Sequence, residues 1–408
     1  MSASLSKKEI RRICRNALYA AGLRVVVGVL KALLKRGFSG LRTSLLSEIL
    51  SLDPWKWAGF VGGLSSIRNF ESVLSKSLNP IAASVVAGLI AASPVVVFQE
   101  KTQTELMLYF LARVVHNFGA NFVLPQLPQA FQDFSHYDVL TMMVASSEIL
   151  YSFVFLPKCH LPSYQGFLLR ATMTDSKVIA ATAAAHRCTP CPEGVEYAMK
   201  RNIAFDPRIS DTSKVCNLWH PGQTCSSNSV SFLTNHFLRI TFPLYLPLKV
   251  ISTVALNGRK LVNDPVPTLV KCVKSSAKSA TFLTVYCAAA TRIICVFAQL
   301  GIRNDVGIAL IAGCVSGATT LIEDKARRLD LAIYCLMQAI RSTTLLMYHK
   351  GYCSLPRRSS QVVLYLTCVA YLFAFFARSP SQTHPTVAKM FSMLSGEKKA
   401  GDKKEVIQ

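Results

Sequence analysis

Long apolar stretches separated by short polar, mostly basic breaks dominate the pattern along the chain. Ser77 to Gln99 contains no charged residue over 23 positions; at about 1.5 Å rise per residue such a helix exceeds the ~30 Å hydrocarbon core of a bilayer. Ser359 to Ala377 and the shorter Val306 to Ile322 are equally clean. Ser279 to Ile302 is interrupted only by Arg292, and Asp138 to Pro157 carries one internal acid, Glu148. Weaker runs lie at Ala17–Leu34, Trp57–Ile67, Leu106–Val123, Phe237–Val254 and Leu331–Met347. The runs are too long for tilted barrel strands and lack their alternation. The pattern predicts an all-α, polytopic helical membrane protein with eight to ten membrane helices.

Composition sharpens that reading. The 408 residues include 45 Lys+Arg against 22 Asp+Glu, a net charge of +23, yet only 16% are charged where soluble proteins carry roughly 25%. Mean hydropathy is +0.34. A basic nucleic-acid binder would be polar overall, and a disordered basic chain would lack aliphatics, so nucleic acid is excluded as the expected partner. The basic residues flank apolar runs: Lys7, Lys8, Arg11 and Arg12, then Lys35-Arg36, Arg259-Lys260 and Arg327-Arg328 in expected loops, and Lys398, Lys399, Lys403 and Lys404 in the tail. There they set topology and face lipid headgroups. Arg24 and Lys31 interrupt the first apolar stretch, so no cleaved secretory signal is expected. The basic start reads either as a mitochondrial address or as a cytosolic flank. Glu405-Val406-Ile407-Gln408 matches no peroxisomal or ER retention signal.

The apolar pattern repeats. Asn79–His116 aligns without gaps on Asn304–Arg341, at an offset of 225 with six of 38 positions identical. Ala87-Gly88 falls on Ala312-Gly313, and Leu106, Tyr109 and Leu111 fall on Leu331, Tyr334 and Leu336. Outside this anchor, Arg68 matches Arg292 with one residue of slippage, Pro157 matches Pro380 and Leu18-Tyr19 matches Leu244-Tyr245. Two internal repeats follow, each with four spans plus an ambiguous first helix. The layout is a basic flank (1–14), a first membrane repeat (15–171), a polar Cys-containing linker (172–234), a second membrane repeat (235–385) and a basic polar tail (386–408). Ser84, Gly88 and Ala92 sit four apart on one helix, with Ala309, Gly313 and Gly317 at the aligned positions; Gly59 and Gly63 form a further pair. Small residues at this spacing let a neighbouring backbone approach. They read either as general helix packing or as two faces meeting between the halves. Arg68, Arg292 and Glu148 are the intramembrane charges that stand out as functional candidates.

The linker holds the one constellation that looks like chemistry. Cys188-Thr189-Pro190-Cys191 is a C-x2-C pair, and Cys216, His220 and Cys225 follow. Thiolates and an imidazole could complete a tetrahedral zinc site; reduced cysteines or a Cys216–Cys225 disulfide are the alternatives. Trp219-His220-Pro221 reads as a stiff amphipathic tip at the membrane interface. No P-loop, GxGxxG, GxSxG or HExxH is found, so no catalytic residue is assigned, and a membrane enzyme using the Cys/His linker ranks last.

Cys216…Trp219-His220-Pro221…Cys225, followed by Val230-Ser231-Phe232-Leu233 and Pro243-Leu244-Tyr245-Leu246, resembles the N-terminal domain of the transmembrane protein 135 family. Ile308–Arg341 looks like the membrane part of that family, itself distantly similar to the mitochondrial inner-membrane translocase superfamily. The resemblance covers about 216–385, and residues 15–170 resemble the membrane part again. In the family the Cys-rich motif opens the chain; here it lies in the middle. The resemblance implies a non-enzymatic, multi-pass protein of the peroxisomal membrane first and the mitochondrial membrane second. It would influence organelle dynamics and lipid metabolism, with the lipid bilayer, other organelle membrane proteins or a second copy as partners. The alternative is a carrier or protein-translocase-like subunit with its pathway between the two repeats.

Overall fold

A computed structural model of the chain describes residues 6–36, 51–129, 136–203, 205, 215–383 and 385–395. Among the described residues there are helices and no strands. The chain splits into two compact units, residues 1–128 with 356–408, and residues 129–355.

The first unit holds α1 (Lys7–Arg36), α2 (Leu52–Ser65), α3 (Ile67–Leu74), α4 (Pro80–Ala92), α5 (Glu100–Phe118) and, from the far end of the chain, α16 (Arg358–Arg378) and α17 (Pro385–Ser395). The α4 N-terminus is set locally: Asn79 Oδ1 accepts from Ala82 N at 2.8 Å, and Pro80 fills the first helical position, where its missing N–H costs nothing. A 3₁₀ turn, Ser93–Val97, ends the helix, and the Gln103 amide donates to Val95 O and Val96 O to close it. Against α4 lies α16, so near that a Cβ on Gly88 would stand 2.7 Å from Ala370 Cα. Aromatic rings fill the space beside this crossing, with Phe110 edge-on to the fully buried Tyr365 at 5.3 Å.

The second unit holds α6 (Tyr137–Phe155), α7 (Pro162–Ala171), α8 (Ser176–Arg187), α9 (Pro192–Met199), α10 (Val215–Trp219), α11 (Cys225–His236), α12 (Phe242–Asn263), α13 (Pro265–Gln299), α14 (Asp305–Ala318) and α15 (Lys325–His349). The α14 start copies that of α4: Asn304 Oδ1 accepts from Gly307 N at 2.9 Å. A 3₁₀ turn, Thr319–Ile322, follows, and Arg328 donates to Leu321 O at 2.8 Å. Asn304, Gly307, Leu321 and Arg328 stand 225 positions after Asn79, Ala82, Val96 and Gln103. The α14 small face is filled by α6: a Cβ on Gly313 would stand 2.2 Å from Ser147 Cα, and one on Gly317 2.5 Å from Met143 Cα. Each small-residue face is thus occupied within its own unit, by α16 for Gly88 and by α6 for Gly313. That replaces the reading in which the two faces meet between the halves.

Five of these helical segments are long and apolar enough to cross a membrane: Pro80–Val97, Tyr137–Phe155, Pro265–Gln299, Asp305–Ile322 and Arg358–Arg378. The chain is therefore read as an integral membrane protein. The weaker apolar runs are helical too but differ in kind. Trp57–Ile67 breaks at Ser66 between α2 and α3, and α2 is only 14 residues long. Phe237–Val254 begins in a π-helical turn, Phe237–Thr241, that joins α11 to α12. Arg259-Lys260 lies inside α12 rather than in a loop. The tail lysines Lys398, Lys399, Lys403 and Lys404 lie outside the described residues.

Charge placement also differs from the sequence reading. Arg68 is in the eight-residue α3, outside the five candidate spans, where it pairs with Glu71 at 2.6 Å and stacks over Phe373 and Phe376. Glu148 is on α6, with its Oε1 accepting from Ser342 Oγ at 2.7 Å and Thr343 Oγ1 at 3.2 Å. Among the pairs on the second unit's polar turns, Lys278 contacts Asp324. Gly59 has no atom within 4 Å of a built Cβ, whereas on Gly63 it would stand 2.9 Å from Ala91 O. The Gly59–Gly63 pair therefore packs through Gly63 alone.

These contacts separate the glycines by experiment. Gly313→Ala drives a methyl group into the α6 backbone and is expected to destabilise the second unit by about 1–3 kcal/mol or more. Gly59→Ala is expected to be neutral or to gain up to about 1 kcal/mol of helix propensity. Thermal unfolding in detergent reads both. Acid sensitivity is expected as well. Burial pushes His160, which meets Ser152 Oγ at 2.9 Å, down to about 4 from its ordinary 6.5. A histidine held neutral stabilises the fold above pH 6.5, and the contribution is lost as pH falls from 6.5 towards 4, on the order of 3 kcal/mol in all. Burial lowers His186 and His236 in the same direction. His160→Gln should flatten the fall in melting temperature over that pH window.

Candidate metal centre

The polar stretch between the two apolar halves is a folded helical lobe and not a tether. Asp175 caps α8 by accepting from Lys177 N, and the Ala-rich helix buries Val178, Ile179, Ala181 and Ala185. Val178 and Ala181 pack with Ala198 of α9 and Leu218 of α10. Trp219 turns inward, its indole N–H donating to Thr182 Oγ1 at 2.9 Å. Trp219 and His220 thus brace the lobe from within, while Pro221 is exposed.

That brace sets the geometry of the cysteines. Cys216 is on α10, and His220 follows its last residue. The chain reverses through Gly222, whose φ of +69° is the left-handed conformation that glycine adopts without a Cβ penalty. Thr224 caps α11 by accepting from Ser227 N at 3.2 Å. This returns Cys225, the first residue of α11, to 3.3 Å between its Sγ and His220 Nε2. The fourth member arrives from far along the chain: Cys295, in the last turns of α13, places its Sγ 3.8 Å from the same Nε2. The ligand atoms of Cys216, His220, Cys225 and Cys295 all lie within 4.8 Å of one another, and Cys216 Sγ donates to Cys295 O at 3.7 Å.

The donor chemistry suits a soft divalent ion. A tetrahedral zinc ion with Zn–S near 2.3 Å and Zn–N near 2.0–2.1 Å separates its ligand atoms by about 3.5–3.8 Å, within the range found. His220 Nδ1 meets Gln223 O at 2.9 Å. A carbonyl there fixes the proton on Nδ1 and leaves Nε2 facing the sulfurs, the second-shell arrangement of ligating histidines. Gln299 donates to Cys225 Sγ at 3.1 Å. Ala185, Val215 and Ala298 close the site with apolar contacts, and all four ligand residues are at most 9% exposed. Hydrogen bonding with Cys295 pulls the Cys216 thiol down to about 6, whereas burial raises that of Cys225. Three sulfurs and one nitrogen would fill the tetrahedron of a bound zinc ion, the donor set of structural sites.

Two of the sequence candidates are not part of this cluster. Cys188 is exposed, caps α8 in the left-handed region at φ 52°, and accepts from Arg303 Nη1 at 2.8 Å. Cys191 precedes α9 as its N-cap. Their C-x2-C spacing places them at a helix end and a helix start, apart from this cluster. No disulfide joins Cys216 to Cys225; both are free thiols. Cys295 escaped the sequence reading because it lies in Arg292-Ile293-Ile294-Cys295-Val296, inside an apolar run where a cysteine reads as a small hydrophobe. The available signal was its place one helical turn after Arg292.

Comparison of the chain with protein-family models, with curated proteins and with solved structures returns no match.

Thiol labelling tests the assignment. Maleimide added to the native protein in detergent should modify the exposed Cys14, Cys188 and Cys353 quickly. Cys216, Cys225 and Cys295 should react only after denaturation when no chelator is present. Rapid native labelling of Cys225 would contradict the closed cluster.

Proposed function

We propose that the chain is a multi-pass integral membrane protein of an organelle, with no catalytic activity of its own, in which a zinc ion held by Cys216, His220, Cys225 and Cys295 clamps a polar helical lobe to the end of a membrane helix. The observation that carries this reading is the position of Cys295. Three ligands come from the lobe and one from α13, the 35-residue helix that contains a candidate span. An ion bound there links the two covalently distant segments more firmly than apolar contacts do, because its binding free energy becomes folding free energy.

The Cys216, Trp219, His220, Pro221, Cys225 motif supports kinship with the transmembrane protein 135 family, and through it a place in the peroxisomal membrane first and the mitochondrial membrane second. There the protein would act on organelle shape and lipid handling, with the bilayer and other membrane proteins as partners. The matched caps, 3₁₀ turns and glycine contacts of α4 and α14 favour two copies of one ancestral helical unit. The same duplication favours a second reading, a carrier or translocase-like subunit. Eight to ten membrane helices would then include α5, α12 and α15 beside the five apolar segments.

Purified protein should contain about one zinc per chain by elemental analysis. Cys295→Ser should remove most of it and expose the lobe to limited proteolysis, while Cys188→Ser and Cys191→Ser leave zinc and protection unchanged. A tagged copy should co-localise with peroxisomal or mitochondrial markers, and its loss should change the shape of that organelle. Zinc-free wild-type protein, or a tag confined to the plasma membrane, would contradict the corresponding half of the proposal.

A further inference from the structure

Arg292 is the one charged residue inside the apolar stretch between Ser279 and Ile302, and it lies beside the Cys/His cluster. It precedes Cys295 by three residues, so both project from one helix face. With His220, Cys225 and Cys295 it walls a chamber of about 20 Å³, room for about one water molecule. Its guanidinium acts electrostatically on the sulfurs of Cys225 and Cys295. Its Nη1 is buried without a hydrogen bond, a costly state for a cation unless negative charge stands beside it.

The first unit supplies the comparison. Arg68, which matches Arg292 with one residue of slippage from the offset of 225, is followed three residues later by Glu71, and the two form an ion pair at 2.6 Å. Cys295 therefore occupies the place of a carboxylate. One unit answers its arginine with Glu71, and the other answers it with a sulfur that carries negative charge when it ligates a metal. Three thiolates, a neutral imidazole and a divalent ion sum to one negative charge.

Resting on the zinc reading above, we propose that Arg292 is a positioning residue that holds the Cys3His cluster by neutralising its excess negative charge where α13 enters the apolar layer. The cluster and the guanidinium form a half-buried ion pair, the counterpart of Arg68–Glu71. The ion is then retained because the protein supplies a fixed counter-charge on the helix that donates a ligand.

The test is zinc affinity in detergent, measured by competition with a chromophoric chelator, together with the absorption of the cobalt-substituted protein. Arg292→Gln and Arg292→Met should each weaken zinc by about 10–100-fold, the usual cost of removing an outer-shell partner. Arg292→Lys should restore affinity to within a few-fold, and Arg68→Gln should leave it unchanged. Cobalt bound to Arg292→Gln should keep its thiolate-to-metal absorption but be lost at lower chelator concentration. The charge argument has its own readout. Cys295→His makes the complex neutral, so adding Arg292→Gln to that background should cost little further affinity, which a merely structural arginine would not produce. It also serves if Arg292→Gln alone folds poorly. Wild-type protein that binds no zinc overturns the zinc reading itself. Wild-type protein that binds zinc, with affinity unchanged in Arg292→Gln or an equal loss in the Cys295→His background, overturns only the role of Arg292.

Discussion

Helix against helix at a distance that only small residues permit is the contact on which the second unit is built. Lipid chains are as apolar as leucine, so association of spans rests on packing and polar contacts rather than on escape from water. At Gly313 and Gly317 the α14 backbone meets that of α6 with no space for a methyl group. Once α14 is fixed on α6, α13 packs beside α14 and α15 packs beside α6. Glu148 then meets Ser342 and Thr343, which gives its Oε1 two hydrogen bonds. The placement of α13 is also what brings Cys295 to the lobe.

Much of the helical layout was legible because length and apolarity are properties of single segments. The five apolar runs judged strongest are the five that qualify as spans. The small-residue faces were legible for the same reason, since four-residue spacing defines a helix face without reference to its partner. What occupies those faces was not. Gly88 meets Ala370 and Gly313 meets Ser147, and nothing in a local window names a residue so far away. Gly59 shows the limit from the other side: its spacing to Gly63 is right, yet its face has no close neighbour.

The metal-ligating set divides in the same way. Cys216, His220 and Cys225 are close in sequence and were found together. Cys188 and Cys191 have a familiar spacing, but the αL turn after α8 and the start of α9 carry them elsewhere. Cys295 is separated from the motif by α11, α12 and most of α13. Only the register of a membrane helix decides whether a sulfur on it faces the lobe or lipid, and an apolar run contains no punctuation to mark register. The charged Arg292 was such a mark, read as a functional candidate in its own right rather than as the neighbour of a ligand.

The sequence halves and the compact units are different partitions of the chain. α6 is the last candidate span of the first half but packs in the second unit, and α16 is the last of the second half but packs in the first. The exchange has a consequence for biogenesis. The second unit is continuous in sequence and can close as soon as the chain has been made through α15. The first cannot: Gly88 waits for Ala370, 282 residues downstream. Until α16 is made, Gly88 on the small face of α4 lacks its contact with Ala370. Truncation between the end of α15 and residue 358 leaves the second unit complete and the first without the helix that packs on α4.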